Sequence, residues 1–173
     1  MSSGPLMMPG TARQVRGERN RDSGEAFEAW LEGWHRIARQ RGIAHVRKVS
    51  PAVKWVGRGD RARPKVVGEN GADYVGRLRG GRAIVAEAKA TVEDRLPRSE
   101  FKPHQAADLD AAASLGALAM ALIELRVAGR VRRFAAPWPP PWRMRGEGGS
   151  VGLEELAPFE IREGECYLER WAR

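Results

Sequence analysis

The chain has 173 residues and is strongly basic, with 30 Lys and Arg residues against 22 Asp and Glu residues and a formal net charge of +8. This length supports one core of ordinary size rather than two. The charge suits a polyanionic partner, although solubility alone would also account for it. A single cysteine, Cys166, excludes an intrachain disulfide, no paired Cys and His spacing indicates zinc, and the start lacks an apolar signal core. No apolar run approaches the roughly 18 residues of a membrane span, so we expect a cytoplasmic protein without a membrane partner.

Residues 1–22 predict a disordered basic arm, because they are rich in Gly, Pro, Ser and Arg and lack hydrophobic periodicity. The arm could grip phosphate groups, or it could be an ordinary unstructured end. Its candidate phosphate-binding residues are Arg13, Arg16, Arg19 and Arg21. Residues 23–173 are predicted to form one domain.

The first helix is predicted to begin near Asp22 or Ser23, where Asp22 and Glu25 have the spacing of a capping box, and to end at Gly42. Apolar residues recur with the helical period and predict a buried stripe. The stripe consists of Phe27, Trp30, Leu31, Trp34, Ile37 and Ala38. Glu28 lies at the edge of this stripe.

Two strands are predicted next, at 44–49 and 53–56, on either side of Pro51. Segment 57–70 then forms a long basic insertion, and a long loop inside a compact domain usually has a function. Its cationic residues are Arg58, Arg61, Arg63 and Lys65. The alternative is a solvated loop without a role.

Residues 71–89 predict a β-hairpin, which is the most informative feature of the chain. The Arg-Gly-Gly sequence at 79–81 suits the φ > 0 conformations of a short loop, and the residues after it favour a strand. A three-residue loop pairs Leu78 with Arg82. A two-residue loop would shift the register by one residue and move one strand's side chains to the other face.

The three-residue loop places Asp73 directly opposite Glu87, with Cβ atoms roughly 5 Å apart. Lys89 shares their face, because side chains alternate along a strand with a period of two. The two-residue loop would put Asp73 opposite Ala88 and separate the two acids. The other face is apolar apart from Arg82 and is the predicted packing surface; it carries Tyr74, Leu78, Ile84, Ala86 and Ala88.

Two carboxylates that converge on one point favour a hard divalent cation, above all Mg²⁺, with Mn²⁺ as a substitute. Such a cation lowers the pKa of a bound water and offsets the negative charge of the transition state of phosphodiester hydrolysis. Lys89 would orient the attacking water or neutralise that charge. The alternative is a surface hairpin in which Asp73, Glu87 and Lys89 form an ordinary ladder of ion pairs. No small-molecule cofactor is expected.

A second helix is predicted to begin at Pro103 and to run to Gly116. Gln105 then lies in its first turn, where free N–H groups favour phosphate. His104 is an alternative candidate as a general acid or base, because its side chain titrates near neutral pH.

The apolar run 117–127 predicts a central strand, and 131–135 predicts an edge strand. The Pro-rich segment 136–142 cannot form a helix or a central strand. Its tryptophans, Trp138 and Trp142, could stack on unpaired DNA bases, but packing over the edge of the domain is the favoured interpretation. The elements together predict an α/β fold with a mixed central sheet flanked by helices.

Seven segments, in this order, carry a resemblance to a known family: Ser23-Gly-Glu-Ala-Phe-Glu28, Gly42-Ile-Ala, Ser50-Pro-Ala-Val-Lys54, Ala72-Asp-Tyr-Val-Gly76, Glu87-Ala-Lys-Ala-Thr91, Phe101-Lys-Pro-His-Gln105 and Val151-Gly-Leu-Glu-Glu155. The hairpin with Gly-x-Asp and Glu-Ala-Lys is similar to the PD-(D/E)xK nuclease core with its proline absent. The order of the segments over about residues 23 to 160 resembles RecU-type Holliday junction resolvases. This resemblance implies a restriction-endonuclease-like fold. It also implies a homodimeric, Mg²⁺-dependent endonuclease of DNA recombination and repair, which cuts four-way DNA junctions symmetrically and leaves a 5′-phosphate.

The resemblance also implies roles for residues outside the hairpin. Glu28 would be a third catalytic carboxylate at the metal, with Glu25 as a competitor and a solvated surface glutamate as the alternative. Lys54 would contact backbone phosphate, or would be an ordinary edge-strand lysine. Segment 57–70 would be a stalk that enters the junction, and Gln105 would position the substrate or the metal-bound water.

The chain departs from the resolvase pattern at Gly71, because that family usually has a hydroxyl residue two positions before the aspartate. Two other functions stay open on the sequence alone. A related nuclease could act on duplex or flap DNA, because a catalytic core does not determine the shape of its substrate. A non-catalytic junction-binding protein could have lost its metal.

Overall fold

A computed structural model of the protein contains a five-stranded sheet in the order β1-β4-β5-β7-β8, together with two small two-stranded sheets, β2-β3 and β6-β9. The structure describes residues 12–50, 53–58, 62–66, 71–142 and 149–172. The helices are α1 (Ala12–Gln40), α2 (Pro103–Ser114) and α3 (Leu153–Leu156). The strands are β1 (Ala44–Lys48), β2 (Val53–Val56), β3 (Arg63–Val66), β4 (Tyr74–Leu78), β5 (Ala83–Ala90), β6 (Arg95–Pro97), β7 (Leu118–Val127), β8 (Arg130–Pro137) and β9 (Ser150–Gly152).

The main sheet is mixed, because β5 and β7 are parallel and the other neighbouring strands are antiparallel. Strand β7 lies between β5 and β8, and its residues from Leu118 to Leu125 are buried. The central strand predicted at 117–127 is therefore confirmed, as is the following strand on the edge of the sheet. The predicted α/β fold class, a mixed central sheet flanked by helices, is also confirmed.

Buried apolar side chains lie on both sides of this sheet. Tyr74 and Ile84 pack with Phe27 on the α1 side, in one buried cluster. On the opposite side Ile123 packs with Leu109 of α2, in a second cluster. Burial of both clusters removes apolar surface from water, which is the dominant favourable contribution to folding. The sheet thus separates an α1 side from an α2 side.

The start of α1 differs from the prediction. The helix begins at Ala12, so residues 12–21 are helical rather than disordered, and Asp22 and Glu25 lie inside the helix instead of forming a cap. This segment contains Ala, Arg, Gln and Glu, which favour helix even without an apolar stripe. Its last turn is anchored as well, because Asn20 Oδ1 accepts a 3.2 Å hydrogen bond from the backbone N–H of Val92. The predicted arm at residues 1–11 lies outside the described residues.

Strands β2 and β3 form an antiparallel ribbon of their own, between β1 and β4 in the chain. Lys54 lies directly opposite Lys65, and the described cationic side chains of the ribbon are exposed: Lys54, Arg58, Arg63 and Lys65. Arg61 lies outside the described residues. The predicted strand at 53–56 is confirmed, and the insertion contains a second strand that was not predicted.

The Pro-rich segment packs against the domain, as the favoured interpretation predicted. Trp138 and Trp142 are both buried, and Trp138 Nε1 donates a 2.8 Å hydrogen bond to Asp110 Oδ1. Cys166 is a free, buried thiol. Within the described ranges, no helix combines the length and the apolar character that a membrane crossing requires.

Candidate active site

The hairpin formed by β4 and β5 has the predicted register. Leu78 N donates a 2.8 Å hydrogen bond to Arg82 O, and Tyr74 pairs with Ala86. Gly80 and Gly81 both have positive φ, of 87° and 94°, which glycine adopts without a steric penalty. The three-residue loop is therefore confirmed.

Continuing this register by one pair places Asp73, immediately before the first residue of β4, opposite Glu87. Asp73 also continues the pairing with β1, since its carbonyl oxygen accepts a 2.7 Å hydrogen bond from Val49 N. Its side chain turns toward β5, where Oδ2 accepts a 2.9 Å hydrogen bond from Ala88 N. The two carboxylates therefore converge, as the sequence predicted.

Glu87 is a fully buried carboxylate. Its Oε1 accepts a 2.7 Å hydrogen bond from Lys89 Nζ and a second hydrogen bond from Gln105 Nε2. Its Oε2 is also buried and has no hydrogen-bond partner among the described residues. A buried polar atom without a partner costs roughly 1–3 kcal/mol, and more when the group is charged. This oxygen is thus available for a ligand.

Burial, followed by the repulsion from Asp73, raises the pKa of Glu87 from 4.5 to about 7, although the hydrogen bond and the charge of Lys89 oppose this rise. The repulsion acts because Asp73 and Glu87 lie close together. A carboxyl group that titrates near neutral pH in this setting is typical of a functional site. An exposed ladder of ion pairs, which was the alternative interpretation, would not raise the pKa in this way, because its carboxylates would remain solvated.

Gln105 reaches the site from the first turn of α2, which begins at Pro103 as predicted. Its Oε1 accepts a 3.0 Å hydrogen bond from the backbone N–H of Lys102, and its Nε2 donates to Glu87. The first bond fixes the orientation of the amide, so that its N–H donor faces the carboxylate. Four predicted site residues are therefore brought together: Asp73, Glu87, Lys89 and Gln105.

The donor set fits a hard divalent cation. Asp73 and Glu87 offer carboxylate oxygens, and Oε2 of Glu87 is a buried acceptor that a cation would satisfy. Lys89 and Gln105 occupy only Oε1. A bound cation would also favour the ionised form of Glu87, which burial disfavours in its absence.

Glu28 does not join this pair of carboxylates. It forms an ion pair with Lys48, which pairs in register with Tyr74 and so lies on the α1 side of the sheet, whereas Glu87 lies on the α2 side. Within the described part of the chain, no group of three or more His, Cys, Asp or Glu side chains could hold a metal ion. Glu28 is thus paired with Lys48 in this structure, and its predicted contact with a metal, directly or through water, stays a prediction.

Asp108 is a residue near the site that the sequence analysis did not identify. It lies three residues after Gln105 on α2, and its carboxylate lies over Gly71. A Cβ atom added to Gly71 would overlap Asp108 Oδ2 and would be 3.5 Å from Asp108 Cγ. The space of the hydroxyl side chain expected at position 71 is thus filled by a carboxylate from α2. The helical spacing of Gln105 and Asp108 would have placed both on one face.

The hydrogen bonds around Glu87 do not test the roles predicted for His104 and for the arginines of α1. His104 is half-buried, and Arg19 is exposed on α1. Nothing is described for the side chains of Arg13 and Arg16, which lie in the first turns of α1.

The chain matches no family model and no curated protein. Among solved structures it is similar to Hjc, a Holliday junction resolvase from the archaeal hyperthermophile Archaeoglobus fulgidus, with 19% sequence identity and a TM-score of 0.49. The match covers 83% of this chain and 99% of that chain. The function of the present protein is therefore inferred from its own residues.

Proposed function

We propose that the protein is a Mg²⁺-dependent endodeoxyribonuclease that resolves four-way DNA junctions as a homodimer. The observation that supports it most strongly is the fully buried Glu87, which has one carboxylate oxygen without a partner beside Asp73. Lys89 and Gln105 on the other oxygen complete a set of groups suited to phosphodiester hydrolysis.

In this proposal Asp73 and Glu87 hold the cation. When bound, Mg²⁺ would supply a water of lowered pKa and would offset negative charge on the scissile phosphate. Lys89 Nζ, at 2.7 Å from Glu87 Oε1, keeps a positive charge beside the phosphate and holds the carboxylate in place. The Gln105 amide donates a hydrogen bond to the same oxygen. The backbone N–H of Lys102 holds the other end of that amide and so prevents it from rotating. Preorganised groups of this kind stabilise charge in a transition state without having to reorganise.

The preference for four-way junctions rests on the resemblance to RecU-type resolvases and on the distribution of charge. The ribbon of β2 and β3 presents four exposed cationic side chains, Lys54, Arg58, Arg63 and Lys65. Surface charges act within about 8 Å at physiological salt, so a ribbon matters when it brings charge into contact with phosphate. Two copies of the site would cut two opposed strands.

The test is cleavage of a four-way junction in which each strand is end-labelled in turn, with and without Mg²⁺. We expect paired, symmetric cuts from the unaltered protein, and no cuts from Asp73→Asn or Glu87→Gln, with junction affinity largely retained because Arg and Lys hold the phosphates. Glu124→Gln is a matched control, because Glu124 is also a buried glutamate but pairs with Arg133 away from Asp73. Cutting at the full rate by either site variant would refute the metal assignment.

The same experiment distinguishes the other two functions. Equal cutting of a competing duplex of the same arm sequence would indicate a nuclease of duplex or flap DNA. Retention of the junction without products, both with and without Mg²⁺, would indicate a binding protein that does not cut.

Gln105 allows a further test of the site. Gln105→Glu keeps an acceptor for the N–H of Lys102 but replaces the donor to Glu87 with a negative charge, whereas Gln105→Leu removes both contacts. We expect both variants to cut slowly, and Gln105→Glu to require a different concentration of Mg²⁺ because its charge acts on the cation. Unchanged cutting by both variants would exclude a role for this residue.

A further inference from the structure

The face of the sheet that carries Glu87 continues over β1 and β4. Helix α2 packs on β5 and β7, where it covers this face. On β1 and β4 the same face carries His45, Arg47 and Arg77, and all three side chains are exposed. This part of the sheet is therefore accessible in the described structure.

The strand register connects these residues to the site. Arg47 pairs with Val75, and His45 pairs with Arg77. Val75 and Arg77 follow Asp73 by two and four residues, so they share its face and lie roughly 7 and 14 Å from it along the strand. Arg47 is across from Val75 at a distance of roughly 5 Å. The basic side chains thus form a row that leads from Asp73 to the far end of β4.

The charges of this row are not balanced. Neither Arg47 nor Arg77 makes an ion pair with a described residue. Asp73 and Glu87 are the only acidic residues at the paired positions of this face on β1, β4 and β5. The two arginines are diagonal neighbours across the strand pair, at roughly 7 Å, and like charges so placed repel each other. A ligand with regularly spaced negative charges would relieve this repulsion.

We infer that the exposed face of β1 and β4 binds the sugar-phosphate backbone of the DNA strand that enters the site, with Arg47 and Arg77 as phosphate contacts. This inference rests on the proposed nuclease function. A guanidinium group suits the role, because its planar set of N–H donors matches two phosphate oxygens. His45 extends the row opposite Arg77 as a hydrogen-bond donor.

A second copy of the chain is a poorer occupant of this face. In a two-fold dimer the same surface of both subunits forms the interface, so a row that lies at the two-fold axis would meet its own copy. Arg47 and Arg77 would then approach their own copies without acidic residues to pair with them. The observed charge pattern therefore favours a polyanion.

The test compares two double variants that remove the same charge. Arg47→Gln with Arg77→Gln alters the proposed surface. Arg36→Gln with Arg39→Gln alters exposed arginines of α1, on the opposite side of the sheet. Binding of a fluorescent four-way junction and of a matched duplex is measured by anisotropy in EDTA, over a series of KCl concentrations. Thermal melting of each variant checks that it folds.

The affinity of the variant at positions 47 and 77 should fall roughly tenfold or more, because two hydrogen bonds to charged groups are lost. Its plot of log K against log salt should become less steep: the magnitude of the negative slope should fall by about 1.8, or about 0.9 for each lost phosphate contact with duplex DNA. The control at positions 36 and 39 should keep the slope of the unaltered protein. Equal slopes for both double variants would overturn the inference. It would also be overturned if the variant at positions 47 and 77 changed its oligomeric mass but kept the slope of the unaltered protein, because the face would then bind a second copy of the chain.

Cleavage in Mg²⁺ keeps this inference separate from the proposed function. If the unaltered protein does not cut DNA but the slope changes only for the variant at positions 47 and 77, the nuclease function fails and the phosphate contacts stand. If the unaltered protein cuts and the two slopes are equal, the contacts fail and the nuclease function stands.

Discussion

Replacing Glu87 by glutamine should stabilise the metal-free protein at alkaline pH, although the same change should abolish cutting. The pKa of Glu87 is raised from its ordinary value of 4.5 to about 7, first by burial and then by Asp73. The folded protein therefore binds this proton more tightly than the unfolded chain does. The associated stability is present below pH 4.5 and is lost as the pH rises through 7.

The size of the effect follows from the raised pKa. One pKa unit corresponds to about 1.4 kcal/mol, so the ionised Glu87 costs up to about 3 kcal/mol at pH 8. Glutamine carries no charge, and its amide oxygen still accepts hydrogen bonds from Lys89 and Gln105. We expect Glu87→Gln to be more stable than the unaltered protein by about 1–3 kcal/mol at pH 8, and to differ little from it at pH 4.

The assay is urea unfolding in EDTA at pH 4 and pH 8, followed by thermal melting with and without Mg²⁺. For a domain of this size, 1 kcal/mol corresponds to a change of about 2–4 °C in Tm. Mg²⁺ should raise the Tm of the unaltered protein at pH 8, because it binds only the folded site, and should not raise that of Glu87→Gln.

Glu124→Gln is the control, because Glu124 is buried and accepts bonds from Ser23 Oγ and Arg133 Nε. Breaking that pair should destabilise the protein by about 1–3 kcal/mol at pH 8. If Glu87→Gln is destabilised in the same way in EDTA, then Glu87 belongs to a structural ion pair with Lys89 and the metal reasoning is wrong.

Further variants test the packing and the titration of the core. A Cβ atom at Gly76 would lie 2.7 Å from Val46 Cα and would overlap the backbone carbonyl of His45. Gly76→Ala should therefore cost roughly 1–3 kcal/mol or more in urea unfolding, and an unchanged midpoint would contradict the close approach of β1 and β4. Gly33→Ala, where α1 leaves open space, should instead stabilise the protein by roughly 0.5–1 kcal/mol. Burial lowers the pKa of His35 to about 4, so its contribution to stability is present above its ordinary value of 6.5 and is lost as the pH falls toward 4. His35→Phe should flatten the dependence of unfolding free energy on pH between 6.5 and 4, and an unchanged dependence would show that His35 is not the titrating group.

The local sequence determined the hairpin and the second helix. Gly80 and Gly81 favour a short loop, for which the sequence left two lengths open. With the three-residue loop of the structure, the strict alternation of side chains places Asp73 opposite Glu87. Pro103 begins α2 because its fixed φ and missing N–H suit a first turn, and this places Gln105 correctly. These features depend on neighbouring residues, which the sequence displays directly.

Tertiary structure decided the features that join distant segments. Composition predicts disorder before Asp22. In the structure α1 begins at Ala12, because helix propensity favours it and the backbone N–H of Val92, after β5, donates a hydrogen bond to Asn20 Oδ1. Periodicity identifies the buried stripe of α1 but not the sheet face that it covers, so the sequence could not show that Glu28 pairs with Lys48. The raised pKa of Glu87, like the exposed row at Arg47 and Arg77, depends on which strands α2 covers. That choice is set by packing between residues far apart in the chain, and no local pattern encodes it.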